Sequence, residues 1–138
     1  MIACSLAIAF LTITSVTVTV AEKCSLRVVK AIPETVTALG DTCFDETIHS
    51  TSMDFPWDLT ADNIPIVVQD DTCKRWYAGY TAAIKSVDPP CHYEAGSFLA
   101  KVYAGSTADW NYSLQECLEH LMHAAHDRSK VYSYVATD

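Results

Sequence analysis

Apolar positions recur along this chain in three helix-like stripes separated by prolines and capping residues. The first runs through Leu26, Val29, Lys30, Pro33, Val36 and Leu39 at near-helical spacing. Pro33 lacks the amide a helix interior needs, so the pattern predicts a helix that breaks or restarts there, with Gly40 as its stop. The second stripe places Trp76, Tyr80, Ala83, Ile84 and Val87 three or four residues apart, after Asp70, Asp71 and Thr72 as candidate N-caps. Asp88-Pro89-Pro90 closes it, because a residue before proline is driven out of the helical region. The third begins after Ser113 and carries Leu114, Cys117, Leu118, Leu121, Met122 and Ala125 on one face, with Arg128 and Lys130 suited to the negative end of the dipole. Gly96 and Gly105 interrupt the stretch from Cys91 to Trp110, where short strands or an irregular loop fit the pattern as well as a helix does. Residues 41–71 read as short helices and loops around Met53, Phe55, Trp57, Ile64 and Ile66 to Val68.

The N-terminus changes how the cysteines are read. Residues 1–21 hold no charge, run apolar from Ile2 to Phe10 and leave through Thr19-Val20-Ala21, the pattern of a secretory signal peptide. A signal anchor is the alternative, weakened by the repeated threonines. Cleavage after Ala21 gives a secreted, extracellular product of residues 22–138, with no later apolar stretch of spanning length, and these residues form one domain. Cys4 leaves with the leader. Cys24, Cys43, Cys73, Cys91 and Cys117 remain, an odd set that predicts two disulfides and one spare thiol in arrangements that spacing does not separate. No C-x2-C pair is present, which argues against a structural zinc site.

Composition and charge narrow the function. Nine Lys and Arg stand against 17 Asp and Glu, a formal charge of -8, the wrong sign for gripping a phosphate backbone. His120, His123 and His126 follow one another at intervals of three beside Glu116, Glu119 and Asp127. That spacing turns each imidazole further round the helix, so the series predicts a solvated polar face and no metal site. The chain has no G-x-S-x-G elbow, and the neighbours His126 and Asp127 point apart on a helix. No catalytic residues and no cofactor are therefore assigned. Asn111-Tyr112-Ser113 is a glycosylation sequon in a turn before the last helix. Three Trp, seven Tyr, four Phe and three Met supply either a filled core or surfaces that adapt to an apolar guest.

The run Ala82-Ala83-Ile84-Lys85-Ser86-Val87-Asp88-Pro89-Pro90-Cys91 resembles the elicitins, small secreted all-helical proteins of oomycetes, whose middle helix ends in a Pro-Pro pair before a cysteine. The likeness extends to Phe98-Leu99-Ala100-Lys101-Val102-Tyr103-Ala104 and to Cys24, Cys43 and Cys117, about residues 24–118 in all. The resemblance implies an all-α, disulfide-stapled helical bundle with a short β-hairpin and an internal apolar cavity. It implies a non-enzymatic carrier of sterol or fatty acid, in some members a trigger of plant defence responses through a host cell-surface partner. It further implies Cys24–Cys91 and Cys73–Cys117 bonds with Cys43 left unpaired, because Ala78 stands near where the family has the partner of Cys43. Tyr80, Ile84, Leu99, Val102 and Tyr103 would line the cavity. Departures accompany these matches: Pro-Pro runs directly into Cys91, the Cys91 to Tyr103 segment is short, and the chain continues well past Cys117. The alternative is a secreted effector or interaction protein without a working lipid cavity.

Overall fold

A computed structural model describes residues 22–98 and 101–126. Residues 1–21, expected to be a leader, and Leu99, Asp127, Arg128 and Lys130 lie outside the described residues. Among the described residues, six α-helices and one antiparallel hairpin make a small, mostly helical fold stapled by two disulfides.

Pro33 breaks the first stripe as expected. Helix α1 spans Cys24–Ala31, and Pro33, at φ -67°, stands as the N-cap of α2, Glu34–Ile48. Gly40, expected to end this helix, instead lies buried inside it. A Cβ at Gly40 would sit 2.8 Å from Trp76 Nε1, so a side chain at this position would push the tryptophan away. Helix α2 ends eight residues later, where His49 takes a left-handed conformation at φ 55°. Two short helices follow, α3 at Phe55–Asp58 and α4 at Ile64–Gln69. Asp70 separates α4 from α5, Asp71–Lys85, through a single extended residue whose carboxylate accepts from the Cys73 amide at 2.9 Å. The last helix, α6 at Leu114–His126, opens on a reciprocal cap. The Glu116 amide donates to Ser113 Oγ at 3.2 Å, and the Ser113 amide donates to Glu116 Oε2 at 2.8 Å.

Helices α2 and α5 form the principal pair. Glycine on each side lets them approach: Gly40 beneath Trp76, and Gly79 where a Cβ would fall 2.6 Å from Val36 Cγ2. Helices α3 and α4 cover α6. The resulting core joins Val36, Cys43 and Phe44 to Cys73, Trp76 and Tyr77, and closes with Leu59, Val67, Leu114 and Leu118.

Disulfide pairing departs from the expectation at one bond. Cys24–Cys91 forms as the resemblance implied. Cys73 pairs with Cys43 and not with Cys117, their Cα atoms 4.8 Å apart at the contact of α2 with α5, and among the described residues Cys117 is the free cysteine, buried on α6. With no cysteine at the exposed Ala78, Cys43 bonds to the cysteine that α5 presents to it in its first turn.

The hairpin consists of β1, His92–Phe98, and β2, Lys101–Ser106, paired from His92 with Ser106 to Phe98 with Lys101, with an irregularity between Ala95 and Ser97. Its base is closed by Thr107, fully buried in a 3-10 turn at Thr107–Asp109. The Cys91 amide donates to Thr107 Oγ1 at 3.2 Å and the Thr107 amide donates to the Cys91 carbonyl at 3.0 Å. Helix α1 buries none of its residues. It is held by the Cys24 bond to Cys91 and by Arg27, which donates to the Pro89 carbonyl.

Candidate functional site

A continuous series of aromatic rings starts in the core and ends half-exposed at the base of the hairpin. Phe44 and Phe55 stack at 3.9 Å, almost parallel, and Trp76 meets Phe44 edge-on at 4.9 Å. One turn along α5, Tyr80 lies 5.6 Å from Trp76 and 6.5 Å from Trp110. Trp110 then contacts Tyr93 at 5.2 Å and Tyr112 at 4.9 Å. Phe44, Phe55, Trp76 and Tyr77 are buried, whereas Tyr80, Tyr93, Trp110 and Tyr112 are half-buried. Such ring pairs favour edge-on and offset contacts and fix one another's orientation.

Tyr77 anchors the outer rings by donating to the Tyr112 carbonyl at 2.6 Å and accepting from Trp110 Nε1 at 3.3 Å. Burial pushes its hydroxyl up to about 12. Burial also raises Tyr80 well above the usual phenol range, with the neighbouring Cys117 and Tyr77 adding to the effect, and Tyr93 is raised by burial and then by its hydrogen bond with Tyr112. All three phenols therefore stay neutral near pH 7. Among the described residues the Tyr80 hydroxyl makes no hydrogen bond. These groups offer flat apolar faces and neutral hydroxyls, suited to an uncharged guest rather than to proton transfer.

The expected cavity wall is placed in part. Tyr80 and Ile84 lie one turn apart on α5, Tyr80 half-buried and Ile84 fully buried. Val102 and Tyr103 fall on β2, opposite Ser97 and Ala95, while Leu99 lies outside the described residues. Helix α5 meets the 3-10 turn, and β1 rests on α1 and α6. Tyr80 thus reaches the hairpin base through Trp110 and Tyr93. Sequence reasoning missed Tyr77, Tyr93, Trp110 and Tyr112; the aromatic pair flanking Asn111 is a sequence signal for the last two alone. Asn111 itself is exposed in the turn before α6, as expected.

The histidine series is a solvated face only in part: His126 is exposed and His123 half-buried, but His120 is not. His120 is buried, because α3, α4 and β1 all contact α6 and widen its covered arc beyond the apolar stripe. Burial, together with the nearby His123, holds His120 below the usual histidine range. His126 Nε2 lies 3.2 Å from the Leu59 carbonyl. Among the described residues, no three His, Cys, Asp or Glu side chains are grouped to hold a metal ion, and no helix is long and apolar enough to cross a membrane.

Fold and site together define a small all-α protein, cross-linked twice, with a half-buried aromatic cluster between its central helix and its hairpin. No protein-family model, curated protein or solved structure matches the chain.

Proposed function

We propose that the chain is a secreted, non-enzymatic carrier of sterol or another lipid, similar to the elicitins. The observation that supports this most is Tyr80, a half-buried, neutral phenol between Trp76 and Trp110 whose hydroxyl has no hydrogen-bond partner among the described residues. An apolar ring system laid against these aromatics gains about 2.5 kcal/mol for each 100 Å² removed from water, and the Tyr80 hydroxyl orients the guest's polar end. The Pro89-Pro90 pair that follows α5 and the Cys24–Cys91 bond add to the reading. The same resemblance supports a role in provoking plant defence, measured as the response of leaf tissue to the purified protein.

The test is titration of the delipidated full chain with a fluorescent sterol, followed by energy transfer from tryptophan. Tyr80→Ala is expected to weaken binding about tenfold, since it removes a large apolar contact, and Tyr80→Phe to weaken it less, with little change in thermal stability. A native protein that takes up neither sterol nor fatty acid refutes carriage.

A further inference from the structure

Between Lys30 and Lys74 the chain carries nine acidic residues and neither a lysine nor an arginine. The same stretch exposes two large apolar side chains. Met53 is 79% exposed and Trp57 61% exposed. They are four residues apart in a helical segment: the Phe55 amide donates to the Thr51 carbonyl at 2.9 Å and the Leu59 amide to the Phe55 carbonyl at 3.0 Å. Phe55 and Leu59, also four apart, are buried in the core. One short segment therefore spends one apolar pair on the core and turns the other to solvent, one helical turn apart on the same outer side.

Three consecutive hydroxyl residues fix carboxylates of the same segment and of α2. Ser50 donates to Asp58 at 2.6 Å, Thr51 to Asp54 at 2.9 Å, and Ser52 to Asp41 at 2.5 Å through its hydroxyl and 2.9 Å through its amide. The Ser52 bonds hold Asp41 below the usual carboxylate range, so it stays ionised in mild acid. Among the described residues, Asp41, Asp54 and Asp58 make no ion pair, and they do not converge on a metal site.

We infer that the surface from Thr51 to Asp58 docks a basic amphipathic segment of another protein, which lays an apolar side chain against Trp57 and Met53 while its lysines or arginines meet Asp41, Asp54 and Asp58. An exposed Trp on a segment whose carboxylates are held in place has the make-up of an interface anchor, and the fixed carboxylates lose little freedom on binding. A second copy of this chain is a poor occupant, because the face would meet its own charge. The inference stands apart from lipid carriage and does not require it.

The experiment titrates the full chain at low salt and pH 7 with a helical Lys/Leu peptide. A Lys/Ser peptide of equal charge, a Glu/Leu peptide and phosphatidylcholine vesicles are run in parallel. Saturable binding of the Lys/Leu peptide alone is expected, weakened about tenfold by Trp57→Ser and by the pair Asp54→Asn/Asp58→Asn. The pair Glu34→Gln/Asp109→Asn, equal in charge change but elsewhere, leaves it unaltered. Met53→Ser, at the more exposed position, is a second variant that keeps the fold if Trp57→Ser disturbs it, and near-ultraviolet circular dichroism reports which variants are native. The inference is overturned if the Lys/Leu peptide fails to bind, if the Lys/Ser peptide binds as well, or if the variants at this face leave affinity unchanged. Trp57-dependent binding to the vesicles, or Trp57-dependent dimerisation, overturns it in favour of a lipid surface or a second copy.

Discussion

Removing the Cys43–Cys73 bond by Cys43→Ala/Cys73→Ala is expected to destabilise the fold more than removing Cys24–Cys91, the reverse of what loop length suggests. The inner bond closes 30 positions and the outer one 67. Loop-closure entropy for 30 residues is about 12 cal/mol/K, or about 3.6 kcal/mol at 25 °C, against about 4.4 kcal/mol for the longer loop. The two bonds differ on the folded side. Cys43 and Cys73 are fully buried in the core, so deleting both sulfurs opens a gap that adds about 1–2 kcal/mol. Helix α1 buries no residue and touches α5 far less than α2 does, so once its bond to Cys91 is gone it is expected to fray while the α2–α5 pair holds. The freed α1 restores chain entropy to the native state, which offsets part of the longer loop's value. Urea unfolding followed by circular dichroism should show a loss of about 5 kcal/mol for the inner pair, a large share of the roughly 5–15 kcal/mol of a typical domain. The outer pair should lose less than its loop value of about 4.4 kcal/mol. A larger loss for Cys24→Ala/Cys91→Ala refutes the reasoning, and peptide mapping that finds Cys117 bonded to Cys73 removes its structural basis.

Cys117, buried and pushed up to about 12 by that burial, should resist a thiol reagent in the folded protein and react fully on unfolding. Its folded value lies above the 9.0 of an ordinary thiol, so its share of stability is complete below pH 9 and is lost as pH rises towards 12; Cys117→Ala should flatten that limb of the stability profile. His120 acts on the acid side: its folded value is depressed, so its contribution is complete above the ordinary 6.5 and is lost as pH falls through the folded value, a loss that His120→Leu should remove from chemical-unfolding curves recorded across mild acid. Gly40→Ala should destabilise by about 1–3 kcal/mol, because the added Cβ meets Trp76 at 2.8 Å and this crowding outweighs alanine's helix preference of about 1 kcal/mol. Thermal unfolding measures the change, and an unchanged or raised midpoint contradicts the close approach of α2 and α5.

Much of the helical framework was legible in the residues because its signals act locally. Pro33 interrupts the first stripe, Asp70 caps α5 and Ser113 with Glu116 caps α6, each through backbone groups a few residues away. Periodicity likewise put Tyr80 and Ile84 on the inner side of α5. The rest of the aromatic site was not legible, since Tyr93 and Trp110 reach Tyr80 only after the chain has passed through the hairpin and the 3-10 turn.

The amino-acid sequence by itself therefore determined where the helices at Glu34, Asp71 and Leu114 begin, the break at Pro33, and a cysteine set that leaves one thiol over when the leader is discounted. Only the tertiary structure decided which thiol that is. Cys43 and Cys73 bond because α2 lies against α5 at glycine-thin contacts, and the same contact carries α2 through Gly40 where local preference would stop it. His120 is buried for the same kind of reason, since the breadth of a helix's covered face depends on how many neighbours close over it. Caps and prolines spend their influence within a turn of helix, whereas pairing and burial depend on which surfaces meet across the fold.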